Sequence, residues 1–230
     1  MHFRTQIIGT MKEHSAASRI EPRWPAAVMM LIALFMLAAL PGRIRLFPSW
    51  IAYLAGITVL VPMLAVGLTA GSERWLRVER VSTLLFFVAV VAGNLANLGT
   101  LIGAMVHRSA ELSGIELLAS SIAIWITNVL AFSLLYWQID RGGPEARLHH
   151  TGTKPCWLFP QQGVPQCVQP DWRPTYVDYL FLGFSTATAF SAGDALPLMP
   201  RAMVLMMLES SISLVTLVIV AARSITMLGN

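Results

Sequence analysis

Apolar residues gather along this chain into runs at 25–40, 50–70, 82–106, 115–137 and 202–222. Most are near the roughly 20 residues that a helix needs to cross a hydrocarbon core about 30 Å thick. Polar stretches punctuate them. The connection at 41–45, with Arg43 and Arg45, is too polar to sit in lipid. Pro62 falls inside the second run, removes one backbone donor and predicts a kink. Residues 71–80 set Arg74, Arg77 and Arg80 against Glu73 and Glu79. They read as a short interfacial segment anchored by Trp75, or as a plain solvated connector.

The third run carries Asn94 and Asn97, with Gly99 and Gly103 four apart on one face. Small residues at that spacing let helix backbones approach, and an amide unpaired in lipid costs several kcal/mol. Both asparagines are therefore expected to face other helices. The fourth run holds Trp125 and Asn128 and ends in Tyr136 and Trp137, aromatics of the kind that mark a membrane interface. Asp140-Arg141-Gly142-Gly143-Pro144 then terminates it.

The segment that follows is unlike the rest. Pro155, Pro160, Pro165, Pro170 and Pro174 are spaced through polar and aromatic residues, which predicts an aqueous loop with extended character. It contains the only two cysteines, Cys156 and Cys167. A bridge between them in an oxidising compartment, worth about 3 kcal/mol, and two free thiols in a reducing one are both compatible with this spacing. Residues 176–190 are next, apolar and helix-compatible but too short to span. The run breaks at 191–194 and, after Pro197 and Pro200, the last full-length run begins. Half-helix, polar turn and full helix together predict a re-entrant loop, whose non-helical backbone is tolerable in a membrane only against protein or water.

The expected fold is thus all-α, a polytopic membrane protein of about five transmembrane helices plus one re-entrant half-helix. It divides into a polar N-terminal segment (1–24), a four-helix transmembrane region (25–138), a Pro-rich aqueous loop with two cysteines (139–175) and a half-helix, turn and last helix (176–230). The first apolar run starts too late and runs too long for a typical cleaved signal, so a retained helix is expected.

Composition agrees. Of 230 residues 56% are hydrophobic and 12% charged, about half the charged fraction of an ordinary soluble domain. The formal net charge of +4 lies in residues between the apolar runs, so it reads as membrane-flank charge and excludes a nucleic-acid partner. There is no H-E-x-x-H, no G-x-S-x-G and no glycine-rich phosphate loop. His149-His150 on the loop reads as solvated. No enzyme, metal or cofactor is expected, and without an inverted repeat neither is a transporter. Glu209 lies within the last run, where a carboxylate costs at least about 3 kcal/mol on insertion scales. It must face protein, water or the interface, in a functional role or a structural one near the turn.

Residues 178–223 resemble the pore domain of the tetrameric potassium channel superfamily. Asp178-Tyr179 is similar to the start of that family's pore helix, Phe184-Ser185-Thr186-Ala187-Thr188 to its end, and Gly193-Asp194 to the closing G-D of the filter. Pro197, Glu209 and Arg223 fall where the family often has a proline, an acidic residue and a basic one. The filter itself departs. The family's T-V-G-Y-G becomes Ala189-Phe190-Ser191-Ala192-Gly193, and stacked carbonyls need backbone conformations that glycine reaches and Ser191 does not share. Potassium selectivity is not implied. The Tyr136 to Pro144 motif, with the Phe190-Ser191 turn, also resembles a group of uncharacterised bacterial integral membrane proteins.

The resemblance implies a homo-oligomer, a tetramer, whose path is lined by the Thr186 to Asp194 segment, with Thr188 and Asp194 as polar lining. It implies a multi-pass protein of a bacterial inner membrane that is either a weakly selective cation or small-solute pore or a non-conducting scaffold or accessory subunit with a channel-derived fold. Orientation is contested. Twelve of the sixteen basic residues lie on the side that holds the Pro-rich loop, so the positive-inside rule puts that loop in the cytosol. The channel resemblance and a Cys156–Cys167 bridge put it outside.

Overall fold

The computed structural model describes residues 22–39, 49–69, 72–106, 114–148, 154–169, 172–188 and 195–228, and they are mostly helical. The elements run α1 (Trp24–Ala39), α2 (Ser49–Leu68), α3 (Glu73–Val106), α4 (Gly114–Ile139), α5 (Pro144–Leu148), β1 (Trp157–Leu158), α6 (Tyr176–Thr188), β2 (Leu196–Pro197) and α7 (Pro200–Leu228). Among the described residues, three stretches are long and apolar enough to cross a membrane: Glu73–Gly103, Leu118–Gly142 and Pro200–Ala222. Two more apolar helices are shorter, Trp24–Ala39 and, within α2, Tyr53–Leu68.

α4 is the axis of the bundle and packs against α1, α3, α6 and α7, while α2 is held on the outside by α1 and α3. Its sequence explains the position. Ser120, Ser121, Thr127, Asn128, Ser133 and Gln138 are all buried along it; Ser120, Thr127 and Ser133 donate back to carbonyls of their own helix, whereas Asn128 needs a neighbouring helix and finds α7. α7 is patterned the same way. Ala202, Glu209, Ile212, Ser213, Thr216 and Ile219 face inward at helical spacing, and Met203, Val204, Met207, Leu214 and Val218 face outward. Polar inside and apolar outside is the reverse of a water-soluble helix.

Several expectations change here. Residues 71–80 are not a separate segment, because from Glu73 onward they form the first turns of one 34-residue helix. Glu and Arg are good helix formers, Glu73 and Arg77 stand four apart in the favourable order, and no breaker intervenes before the apolar run. Tyr136 and Trp137 are fully buried rather than interfacial, since α4 is surrounded at that level. Asn94 and Asn97 are buried as expected. Gly99 and Gly103, by contrast, have open space beside them among the described residues.

The loop after α4 is extended but not simply aqueous. Trp157 and Phe159 are buried, and β1 pairs antiparallel with β2, Trp157 opposite Pro197 and Leu158 opposite Leu196. Its aromatic residues drive this docking. Tyr136 and Trp157 meet at a tilt with ring centroids 4.8 Å apart, and Phe159 meets Tyr179 edge-on at 5.3 Å. Such pairs add to the area they bury. Pro160 and Pro165 each open a 3₁₀ turn.

Candidate functional site

α4 ends by reversing the chain within three residues. Arg141, Gly142 and Gly143 have φ of 52°, 88° and 105°, conformations that glycine adopts freely and arginine rarely. Pro144 then starts α5, where its missing N–H costs nothing. The reversal lets Asp140 stay fully buried under the loop. Its Oδ1 accepts the backbone N–H of Cys156 at 2.7 Å, and its Oδ2 accepts the Tyr179 hydroxyl at 2.6 Å. One carboxyl group thus ties the end of α4 to both the loop and α6. Arg147 closes the cluster by donating from Nη1 to the Trp137 carbonyl at 2.6 Å and to the Asp140 carbonyl at 3.1 Å. Its guanidinium also lies 5.1 Å from the Tyr179 ring centre, a cation–π contact.

Deeper in the bundle lies a second polar cluster. Tyr136 donates to Glu209 Oε2 at 2.6 Å, and Asn128 Nδ2 donates to the Glu209 carbonyl at 3.2 Å and to Ser213 Oγ at 3.0 Å. Tyr136 lies one turn before Asp140, which opens the 3₁₀ turn directly after α4, so the end of one helix carries both clusters. α6 reaches this level because residue 183 is glycine. A Cβ there would collide with Ser133 Oγ and crowd the Val129 carbonyl and Glu209 Oε1 at 3.2 and 3.3 Å. Beyond it, Ser210 Oγ donates to the Thr186 carbonyl at 3.1 Å, fastening the C-terminal turn of α6 to α7. Three helices therefore meet around Glu209. Its Oε1 and Asn128 Oδ1 have no hydrogen-bond partner among the described residues.

α6 begins on its own cap. Asp178 Oδ2 accepts both the backbone N–H of Thr175 at 2.7 Å and its hydroxyl at 2.8 Å. The reach back from the third helical position stabilises the first turn, where the helix dipole also favours a carboxylate. The helix runs for 13 residues, about 20 Å.

Comparison with protein-family models, curated proteins and solved structures finds no match. The site must therefore be read from its own chemistry.

Of the residues singled out from the sequence, Glu209 is buried against Tyr136 and Asn128 of α4, while the Thr186 carbonyl is bonded by Ser210, the neighbour of Glu209 on α7. Thr188 is partly exposed near the end of α6, and its hydroxyl is spent on the carbonyl of Phe184 at 2.8 Å. Ala189, Phe190, Ser191, Ala192, Gly193 and Asp194 lie outside the described residues, as do His149 and His150. Among the described residues, no three His, Cys, Asp or Glu side chains converge on a metal-sized site.

Cys156 and Cys167 are both free thiols, the first buried and the second exposed. The bridge is not formed, because β1 turns Cys156 inward, where Arg201 Nη2 donates to its Sγ at 3.1 Å. Burial pushes the Cys156 thiol up and Asp140 adds to that, with Arg201 opposing. The folded chain thus holds this proton more tightly than the unfolded one. Any stability that it contributes is complete below the ordinary thiol pKa of about 8.5 and is lost as pH rises beyond it. Maleimide labelling at neutral pH is expected to modify Cys167 first and Cys156 at least about tenfold more slowly. Equal rates, measured by mass spectrometry over time, would show that the loop is not docked.

Sequence reasoning missed Asp140, Tyr179, Arg147 and Gly183 as organising residues. Asp140 left one signal: a carboxylate immediately after an apolar run needs a partner if the helix end is covered.

Proposed function

We propose that the chain is a multi-pass protein of a bacterial inner membrane, with about five crossings and one re-entrant half-helix, and that it assembles into a channel-like homo-oligomer. α1 and α2 supply the two crossings beyond the three long apolar stretches. They are short, but their exposed faces are apolar at Leu31, Phe35, Leu54, Ile57, Val61 and Leu64, as lipid contact requires. α6 is read as the half-helix, and the break expected from the sequence at 191–194 as the return toward α7. In this reading the Thr186 to Asp194 segment from four copies surrounds a water-filled path, and Thr188 and Asp194 supply its polar lining. The conducted species is a cation or small solute without potassium selectivity.

One observation carries the reading. A helix of 13 residues is too short to cross, yet it is docked between two longer helices and fastened to α7 by a hydroxyl–carbonyl bond. Non-helical backbone after such a half-helix is tolerable in a membrane only where protein or water shields it. Val177, Phe181 and Phe184 remain exposed along its outer side, an apolar stripe that lipid or a neighbouring copy would cover. The second reading, a non-conducting scaffold, is favoured by the loss of the filter's first glycine to Ser191. Full-length protein in planar bilayers separates the two. Unitary currents or solute flux abolished by Asp194→Ala are expected, and silence across a range of cations and small solutes would leave the scaffold.

A further inference from the structure

The start of α3 leans over the chain reversal that closes α4, and between them is a cavity of about 350 Å³. It is lined by Arg77, Arg80 and Glu79 from α3, by Gln138 from α4, and by Gly143 and Glu145 beyond it. That volume falls in the range of small-ligand sites. The two acids are already engaged. Glu79 accepts from Arg23 Nε at 2.8 Å, and Glu145 lies 3.6 Å from Nη2 of the same guanidinium. Arg77 and Arg80 make no ion pair among the described residues, so two guanidiniums face the cavity with their charge unspent. Gln138 is buried, and its Oε1 lacks a hydrogen-bond partner among the described residues.

Position narrows the ligand. The cavity lies where the apolar stretches Glu73–Gly103 and Leu118–Gly142 have their polar ends. In a bilayer that is the depth of the headgroup phosphates, and basic pockets between membrane helices bind such groups. Guanidinium forks suit phosphate oxygens, and a carboxamide oxygen without a donor suits a hydroxyl. We infer that this cavity holds the headgroup of an anionic glycerophospholipid, its phosphate between Arg77 and Arg80 and a headgroup hydroxyl donating to Gln138. The inference rests on the membrane assignment but not on conduction.

The test uses the full chain in detergent, with native mass spectrometry counting retained phosphatidylglycerol. Removing both arginines (Arg77→Ala with Arg80→Ala) is expected to weaken retention about thirtyfold, from roughly one kcal/mol per basic residue. Arg74→Ala with Lys154→Ala removes the same charge outside the cavity and should leave retention nearly unchanged. Arg77→Lys with Arg80→Lys should recover much of the binding, which a merely misfolded alanine pair cannot explain. Equal losses from the two alanine pairs, or none from the first, would overturn the site. Displacement of the lipid by inorganic phosphate alone would keep the phosphate chemistry but overturn the lipid as its source. Bilayer currents are untouched by either outcome, so failure here and failure of the pore reading are distinguishable.

Discussion

Asp140→Ala is expected to destabilise the folded chain by about 3–5 kcal/mol, the cost of stripping a buried group of its charged or polar partner. The substitution leaves the Cys156 N–H and the Tyr179 hydroxyl without their acceptor in a region that is fully buried. It also opens the space that the carboxyl group fills between α4, β1 and α6. Asp140→Asn keeps the shape and one acceptor oxygen but turns an amide toward one of the two donors, so a smaller loss of about 1–3 kcal/mol is expected. Thermal unfolding in detergent, followed by tryptophan fluorescence, ranks the two against the parent chain. Trp157 sits beside the site and reports its opening. An alanine variant that melts with the parent would mean that the loop contributes nothing to the fold.

Gly183→Leu should cost about 1–3 kcal/mol through overpacking and should loosen α6 in particular. The close approach at this position is made by Ser133 Oγ, the Val129 carbonyl and Glu209 Oε1, and two of the three belong to groups that cannot retreat cheaply: backbone, and a carboxyl group held by Tyr136. The hydroxyl is the one that can be deleted. Gly183→Ala is therefore expected to be partly rescued by Ser133→Ala, a coupling that appears only for residues in contact. Stabilities of the two single variants and the double variant close the cycle. Strict additivity would place α6 away from α4.

Much of the helical architecture was legible from residues 25–137 and 202–222, because a long apolar run admits few structures. The short run at 176–188 was legible for the same reason, its length being the signal. Asn94 and Asn97 were readable as inward-facing, and Glu209 as kept from lipid, since hydrocarbon offers them no partner. What the sequence did not disclose is which residues those polar groups meet. Tyr136 lies 73 positions before Glu209, and no local pattern links them. Tyr136 and Trp137 were misplaced at an interface because aromatic residues at a helix end signal a boundary only when that end is open to solvent. Here the docked loop covers it. The loop was the hardest segment, since proline-rich composition describes the backbone's extended habit and says nothing about where Trp157 and Phe159 will settle. The break expected between residues 80 and 82 failed because charge alone does not stop a helix.

The partnership of Tyr136 with Glu209 bears on how the chain is made. Synthesis proceeds from the N-terminus, so α4 is laid down with its phenol group in place well before the acid is translated. An isolated last helix would carry an unescorted acid into hydrocarbon, at a penalty of a few kcal/mol. In the proposed membrane arrangement it arrives late, beside a donor already waiting, and meets a prepared surface. Assembly in this protein therefore has a direction, and the final helix depends on those that precede it for its admission.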